Sequence, residues 1–292
     1  MFQSIPFAYE NELQREIALR NYSERTFTNY KSHLRRLSEF SGVDIALVTP
    51  EQCKEYLYHL AVVRKLGADS VNTCRSAYLF FRSVILDNPV NPSFLPRHKP
   101  SHPLPLILGV SEITSIINAI HPLKCRAIVS MCYGSGLRVS EALNLRVCDI
   151  DSKRMRVFVR SGKGKKDRYS ILSLYSLEML REYWRKYKPQ GSVLFPGRDP
   201  ERPIPVQSVR QAFSETLKNP GLSPYRGKIT IHTLRHCFAT HLLDAGTNLR
   251  SIQLMLGHKS IESTCIYLQL TDRHMSGITS PVDGKDGDSL VL

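Results

Sequence analysis

The sequence predicts a mainly α-helical protein that carries one small β-hairpin, an α+β fold divided into two domains. Apolar residues at helical spacing occupy most of the chain, and a proline-rich stretch interrupts them near residue 90. One short alternating segment surrounds a turn rich in glycine and lysine. A chain of 292 residues is long enough for about two domains, each with its own apolar core.

Four helical patterns make up the first domain, which we place at residues 1–88. They cover 10–20, the segment from Ser23 to Gly42, the segment from the capping box Thr49-Pro50-Glu51-Gln52 to about Arg64, and a last helix opened by Ser70. Basic side chains on the polar faces of these helices are suited to phosphate contacts, although a solvated helix face explains them equally well.

A linker and a mixed second domain follow. Residues 89–105 are rich in proline, which fixes φ and favours extended geometry, so we assign them to a linker before a second domain at 106–292. The second domain contains the predicted β-hairpin, with strands at 155–159 and from Arg168 and a Ser-Gly-Lys-Gly-Lys-Lys-Asp turn between them. Helical patterns cover 111–120, 123–133, 139–146, 175–187, 206–217, 231–245, 249–256 and 260–269.

The charge of the chain indicates a polyanionic partner. There are 40 Lys and Arg against 26 Asp and Glu, a formal net charge of +14, and +11 of it falls on residues 101–292. Such a surplus is typical of proteins that bind nucleic acid, and a basic surface without a partner is the alternative. Seven scattered cysteines without a Cys-x-x-Cys pair indicate a reducing compartment, and the sequence shows neither a membrane-spanning apolar run nor a signal-peptide pattern. We therefore expect a cytoplasmic protein.

Familiar phosphate and metal motifs are missing from the sequence. It has no Gly-x-x-x-x-Gly-Lys-[Ser/Thr] loop, no Gly-x-Gly-x-x-Gly after a strand and no carboxylate pair resembling a two-metal nuclease, so we expect no cofactor and no metal. Acting on a phosphodiester without a metal requires cations for the phosphate oxygens, a nucleophile and a proton donor. The second domain contains residues of all three kinds.

The first candidate is Arg138, where a glycine-rich turn leads into a helix. Backbone N–H groups and the helix dipole favour an anion at such a place, and arginine adds a bidentate donor. Glu141 lies one turn further and is spaced to support the guanidinium group. Taken alone, an arginine in this setting is more often an ordinary surface residue.

The second candidate segment places His232 and Arg235 three residues apart near a helix start. At that spacing one group can hold a phosphate oxygen while the other positions a proton. His232 and His236 are also four residues apart, but the glutamate of a His-Glu-x-x-His zinc site and a third ligand are missing. We interpret His236 and His241 as core or surface histidines.

The remaining candidates lie in turns and near the C-terminus. Gly257 ends a helix and leaves His258 at an exposed turn, and Tyr267 follows in a short helix. A tyrosine there is by default a packing residue with a polar tip. The hairpin turn carries Lys163 and Lys165, which are equally explained as solvated basic residues.

The order of these segments is more specific than any one of them. Gly-Ser-Gly-Leu-Arg-Val-Ser-Glu-Ala-Leu, Gly-Lys-Gly-Lys-Lys-Asp-Arg, His-Thr-Leu-Arg-His-Cys-Phe-Ala-Thr-His-Leu, Leu-Gly-His and a final Ile-Tyr follow one another. Together they resemble the tyrosine recombinase (phage integrase) family, most of all its compact Xer-type and integron- or transposon-type members. Residues 22–40 resemble its core-binding domain. The resemblance implies a helical, SAM-like DNA-binding domain followed by a tyrosine-recombinase catalytic domain with a C-terminal tail.

The resemblance also implies how DNA would be cleaved. Arg138 and Arg235 would bind the non-bridging oxygens of the scissile phosphate. Tyr267 would attack the phosphorus, which gives a 3′-phosphotyrosyl link and a free 5′-hydroxyl. Lys163 would protonate the departing oxygen, with Lys165 as the alternative because the register of the turn is not fixed by the sequence.

Three supporting residues complete the implied site. His232 would assist the tyrosine proton or orient the phosphate, His258 would donate a hydrogen bond to the phosphate, and Glu141 takes the acidic supporting position. Such an enzyme recombines DNA at sites with inverted repeats, as a homotetramer on paired sites, through a Holliday junction and without metal or ATP. Its subunits can exchange C-terminal segments. The alternatives are DNA relaxation of the type IB topoisomerase kind and non-catalytic, sequence-specific DNA binding.

Overall fold

The structure, a computed structural model, describes residues 8–99, 105–160, 167–258 and 260–270. The chain forms two compact units, Met1–Pro103 and Leu104–Leu292. Across the described ranges, no helix is both long enough and apolar enough to cross a membrane.

The first unit is helical and has one apolar core. Ser23 caps its second helix by accepting a hydrogen bond from the Thr26 N–H at 3.1 Å, and Gly42 ends that helix in the left-handed conformation. Thr49 and Gln52 form the predicted capping box of the third helix. All four helices contribute buried side chains to the same core. These helices are α1 (Glu10–Leu19), α2 (Glu24–Ser41), α3 (Pro50–Tyr58) and α4 (Ala68–Phe80).

In this unit one predicted helix start is wrong, and one helix changes its hydrogen bonding before its predicted end near Arg64. The α-helical hydrogen bonding of α3 stops at Tyr58, and His59–Val63 continues as a π-helical turn. The fourth helix begins at Ala68 rather than at Ser70, because Gly67 takes the extended N-cap conformation and its carbonyl accepts the Ser70 N–H at 3.0 Å. Ser70 therefore lies inside the first turn.

The second unit surrounds one buried helix. That helix, α6, packs against α8, α9 and α10 in the main apolar core. A smaller apolar cluster lies between α10 and α11 and includes Phe238, Leu256 and Tyr267. The helices of this unit are α5 (Val110–Ala119), α6 (Leu123–Gly134), α7 (Val139–Leu143), α8 (Leu174–Tyr187), α9 (Val206–Thr216), α10 (Ile231–Asp244), α11 (Leu249–Leu256) and α12 (Glu262–Cys265).

The predicted hairpin is part of a three-stranded antiparallel sheet. Its strands are β1 (Ile150–Asp151), β2 (Arg156–Val159) and β3 (Arg168–Ile171), in the order β1-β2-β3. The register pairs Val157 with Ser170 and Val159 with Arg168. Strand β1 was not predicted, because two residues are too few to show an alternating pattern.

Two helices of this unit are shorter than predicted. Helix α7 ends at Leu143 instead of 146, because the chain becomes extended there: the Leu145 carbonyl accepts from the Leu194 N–H at 2.9 Å and the Val147 N–H donates to Ser192 at 3.0 Å. The predicted helix 260–269 is a four-residue α12 followed by a 3₁₀ turn, Ile266–Leu270.

Candidate active site

Two arginines and a glutamate meet at the start of α7. Arg138 is the N-cap residue of this helix and Glu141 reaches back to it. Glu141 Oε2 accepts the backbone N–H of Arg138 at 2.8 Å, and Oε1 accepts Nη1 of Arg138 at 2.8 Å. Arg235, on α10, places Nη1 3.4 Å from Glu141 Oε2. One carboxylate therefore holds both predicted phosphate-binding arginines in one place.

Arg235 is held by main-chain carbonyls as well. Its side chain is 1% exposed, Nη1 donates to the Gly136 carbonyl at 2.7 Å, and Nη2 donates to the Leu256 carbonyl at 2.5 Å. Burial, together with the charge of Arg138, lowers the pKa of Arg235 to about 9, which still leaves a cation at neutral pH. Arg138 is 21% exposed and is the more accessible of the two.

Two backbone N–H groups of the glycine-rich turn before α7 are engaged within the protein, so they do not take the anion-binding role that we predicted for this turn. The N–H groups of Ser135 and Gly136 donate to carbonyls of α6. Gly136 instead allows close packing: its φ is +62°, and a Cβ added there would lie 2.4 Å from the ring of Phe238. This close approach of the turn to α10 brings the Gly136 carbonyl within reach of Arg235.

Glu141 also meets a third guanidinium group. Arg168, the first residue of β3, donates Nη1 to Oε1 at 3.1 Å and Nη2 to Oε2 at 2.9 Å. Burial alone would raise the pKa of Glu141, but hydrogen bonds and charges from Arg168, Arg138 and Arg235 lower it to about 2. Three guanidinium groups around one ionised carboxylate leave two positive charges in excess, and an anion is the ligand that such a site favours.

Tyr267 lies beside these cations. It belongs to the 3₁₀ turn that follows α12, is 1% exposed and packs in the small apolar cluster. A hydrogen bond of 3.1 Å joins its hydroxyl to His236 Nδ1. Burial raises the pKa of Tyr267, and the charges of Arg235 and Arg138 oppose that rise. The hydroxyl is thus a protonated phenol whose ionised form the neighbouring arginines stabilise.

Of the two predicted histidines, His258 contacts Tyr267 and His232 contacts His236. His258 follows the left-handed Gly257 at the end of α11, and its ring stacks on that of Tyr267 with centroids 6.4 Å apart. Its Nδ1 is 3.0 Å from Thr264 Oγ1. Burial and the charge of Arg235 lower the pKa of His258 to about 4, so its ring is neutral at pH 7. The ring of His232 meets that of His236 edge-on, with centroids 4.7 Å apart.

Lys163 and its alternative Lys165 lie outside the described residues. The strands that flank their turn are described, and the pairing of Val159 with Arg168 closes the ladder on the side of the turn. Because Arg168 contacts Glu141, the described end of the lysine-bearing hairpin lies against the arginine cluster.

Two residues at the site were missed by the sequence analysis. His236 was interpreted as a core or surface histidine, yet it contacts the hydroxyl of Tyr267, and burial lowers its pKa to about 4. Its spacing of four residues from His232 could have indicated a shared helix face. Arg168 ends the Gly-Lys-Gly-Lys-Lys-Asp-Arg segment, but no spacing in the sequence indicated that it meets Glu141.

The other histidine, His241, pairs with Tyr133 at 2.9 Å. In the described parts of the chain, no group of three or more His, Cys, Asp or Glu side chains is arranged to hold a metal ion.

Comparison with known sequences assigns both units. Residues 107–274 match the model of the Phage integrase family, and residues 10–91 match the Phage integrase, N-terminal SAM-like domain. The "Putative integrase/recombinase y4qK" of Sinorhizobium fredii is 38% identical over 272 residues, which is 93% of this chain and 87% of that protein. Tyrosine recombinase XerC of Halalkalibacterium halodurans is 31% identical and covers 86% of this chain and 89% of its own length.

Solved structures have the same fold. XerH site-specific recombinase, bound to its palindromic difH substrate in a post-cleavage complex, is 21% identical with a TM-score of 0.67 and covers 91% of this chain and 83% of its own. A lambda integrase dimer bound to a core site is 21% identical with a TM-score of 0.69, over 88% of this chain and 96% of its own. With two matching domain models and relatives along most of its length, the chain belongs to the phage integrase family, the tyrosine recombinases, which break and rejoin DNA.

Proposed function

We propose that this protein recombines DNA at specific sites through a covalent 3′-phosphotyrosyl intermediate, with Tyr267 as the nucleophile. The Tyr267 oxygen forms a bond to phosphorus, the bond from phosphorus to the 5′-oxygen breaks, and Lys163 gives that oxygen its proton. Arg138 and Arg235 bind the non-bridging oxygens of the phosphate. His258 donates a hydrogen bond to the same group, and these contacts stabilise the negative charge that grows on it.

The observation that carries this proposal is the convergence of Arg138 and Arg235 on Glu141, with Tyr267 close enough to both arginines to feel their charges. Residues separated by about 130 positions in the chain form one cluster, which holds more positive than negative charge. A phenol of pKa ~10 is a poor nucleophile at pH 7 unless nearby cations stabilise its ionised form. The buried Arg235 supplies such a cation beside the phenol.

Tyr267 must also lose its proton. His232 assists that transfer or orients the phosphate, and the contact between His232 and His236 connects it to the tyrosine hydroxyl. A neutral imidazole is able to accept a proton, and the low pKa of His236 keeps that ring neutral at pH 7.

The partner is double-stranded DNA that carries inverted repeats. In our proposal, four copies of the chain act on two paired sites, exchange strands through a Holliday junction and exchange their C-terminal segments; residues 271–292 lie outside the described residues. The covalent link conserves the energy of the phosphodiester, so rejoining needs neither ATP nor a metal. The relation to XerC and the complex of XerH with its substrate support this proposal. We place the protein in the cytoplasm, a reducing compartment that suits its scattered cysteines.

Two other functions remain to be separated from this one by experiment. A protein that relaxes supercoiled DNA as a type IB topoisomerase does would act on any plasmid, with or without inverted repeats. A non-catalytic DNA-binding protein would form no covalent adduct. The cluster favours catalysis over simple binding, because two of its guanidinium groups are buried at a cost, whereas binding to phosphates needs only exposed cations.

The experiment that tests the proposal uses a nicked suicide duplex taken from inverted repeats beside the coding sequence. We expect wild-type protein to form an adduct that survives SDS, and Tyr267→Phe to form none while it still binds the duplex. Tyr169→Phe is the matched control, because Tyr169 is 59% exposed on β3. EDTA should leave the adduct unchanged. An adduct with Tyr267→Phe would assign the nucleophile elsewhere, and loss of the adduct in EDTA would require a metal.

A further inference from the structure

Arg168, at the start of β3, is a largely buried arginine whose whole guanidinium group is hydrogen-bonded. It is 9% exposed, and all three nitrogens of its guanidinium group have acceptors, which lie on two different helices of the unit. Nη1 and Nη2 bind the two oxygens of Glu141 at 3.1 and 2.9 Å, and Nε donates to the Met255 carbonyl at 2.7 Å. A lysine, with one nitrogen at the end of its chain, cannot make all three contacts.

The contact with Glu141 acts on the phosphate-binding arginines. Both carboxylate oxygens accept from Arg168, and the same oxygens accept from Arg138 and Arg235. The position of the carboxylate therefore depends on Arg168. Because Arg138 and Arg235 reach Glu141 at 2.8 and 3.4 Å, a shift of the carboxylate moves them too.

The contact with Met255 acts on His258. Met255 and Leu256 are the last two residues of α11, and their carbonyls accept from Arg168 and Arg235 respectively. The side chain of Arg168 also packs on Gly257, where an added Cβ would lie 2.9 Å from Cδ of Arg168. Two guanidinium groups thus fix the helix end from which the chain continues to His258.

Arg168 is at the same time the first residue of β3, the strand that returns from the lysine-bearing turn. We propose that Arg168 is a positioning residue that aligns three parts of the site: strand β3, the Glu141–Arg138–Arg235 cluster and the end of α11 at His258. This inference rests on the proposed function, and it concerns geometry, since Arg168 reaches Glu141 and a carbonyl rather than the reacting atoms.

The test compares Arg168→Lys with Arg156→Lys, an exposed arginine one strand away on β2. Both variants keep the charge, so any difference between them reports the lost fork geometry. We expect Arg168→Lys to bind the suicide duplex as wild type does but to cleave it more slowly at saturating protein, on the order of 10–100-fold, because small misplacements of catalytic groups have effects of that size. Arg156→Lys should cleave at the wild-type rate.

Two further measurements separate positioning from a general structural role. A duplex with a 5′-bridging sulfur needs no proton donor. It should therefore recover the part of the Arg168→Lys rate loss that comes from a misplaced proton donor. The part of the loss that comes from misplaced Arg138 and Arg235 should remain. Combining Arg168→Lys with Glu141→Gln should cost less than the sum of the two single changes, because both remove the contact between Arg168 and Glu141. Four outcomes would each overturn the inference. They are additive losses in the double variant, full restoration of the rate by sulfur, a wild-type cleavage rate for Arg168→Lys, and weaker binding with an unchanged rate at saturation.

A readout without cleavage keeps the two proposals distinguishable. In protein labelled on histidine, Arg168→Lys should shift the ring resonances of His258, and Arg156→Lys should not. If wild-type protein forms no adduct with any duplex, the proposed function fails, and the His258 resonances still decide on Arg168. Unshifted resonances would overturn its positioning role.

Discussion

Two arginine–glutamate arrangements, one in each unit, lie in opposite environments. In the first unit, Arg35 pairs with Glu39 at 3.0 Å along α2, and the two side chains are 48% and 39% exposed. In the second unit, Arg168 and Arg235 share Glu141 and are 9% and 1% exposed. Both arrangements join arginine to glutamate, but only the second excludes water from the pair.

This difference in burial indicates which positive charges of the chain serve the proposed reaction. An exposed ion pair contributes roughly 0–1 kcal/mol, since water competes for both partners. A buried cluster requires desolvation of every ion, so it is a poor way to gain stability. Its surplus of cations is explained by the phosphate that it is proposed to bind. Changing matched residues in the two units tests whether burial accounts for this difference.

The largest expected effect is that of Arg235→Lys on cleavage. The lysine cannot donate to the Gly136 and Leu256 carbonyls together, and it loses the flat donor face that a phosphate needs, so we expect the adduct to form on the order of 10³-fold more slowly. Arg35→Lys, the exposed counterpart, should cleave at the wild-type rate. Single-turnover cleavage at saturating protein measures both. Equal rates for the two variants would remove Arg235 from the site.

A smaller effect is expected on stability when the glutamates are changed. Glu141→Gln leaves three guanidinium groups, two of them buried, without a counter-charge, so we expect the free energy of unfolding to fall by about 3 kcal/mol. Glu39→Gln should lower it by about 0.5 kcal/mol or less. Urea unfolding at pH 7 measures both changes.

The dependence of this effect on pH has a definite sign. The pKa of Glu141 is about 2 in the folded chain, below its ordinary value of 4.5, so its stabilising effect is fully present above pH 4.5 and is lost as the pH falls toward 2. The difference between wild type and Glu141→Gln should therefore shrink below pH 4.5. A difference that grows on acidification would contradict the ion cluster.

The smallest expected effect compares two left-handed glycines. Gly136 has a φ of +62° and the ring of Phe238 against it, whereas Gly42 has a φ of +69° and open space around it. Gly42→Ala should cost about 1 kcal/mol of unfolding free energy, from the backbone alone. Gly136→Ala should cost about 3 kcal/mol, because steric overlap is added to the same backbone strain. Equal costs in urea unfolding would show that the turn does not need its close contact with α10.

Much of the fold could be predicted from local sequence signals. The cap at Ser23, the capping box at Thr49 and the end of α2 at Gly42 are confirmed, because each depends on a hydrogen bond or a φ angle within a few residues. The early end of α7 was not predictable, since Leu145 pairs with Leu194, some fifty residues later in the chain. The apolar pattern of the sequence also did not indicate the π-helical turn after Tyr58.

The sequence alone determined the family, the two-domain organisation that the family implies, and the identity of Arg138, Glu141, His232, Arg235, His258 and Tyr267 as candidates. Those conclusions need only residue types in a fixed order. The tertiary structure decided which partners they have: His236 beside the tyrosine, Arg168 against Glu141 and glycines that serve packing rather than anion binding. The reason is physical, because a hydrogen bond between distant segments depends on packing that no local pattern encodes.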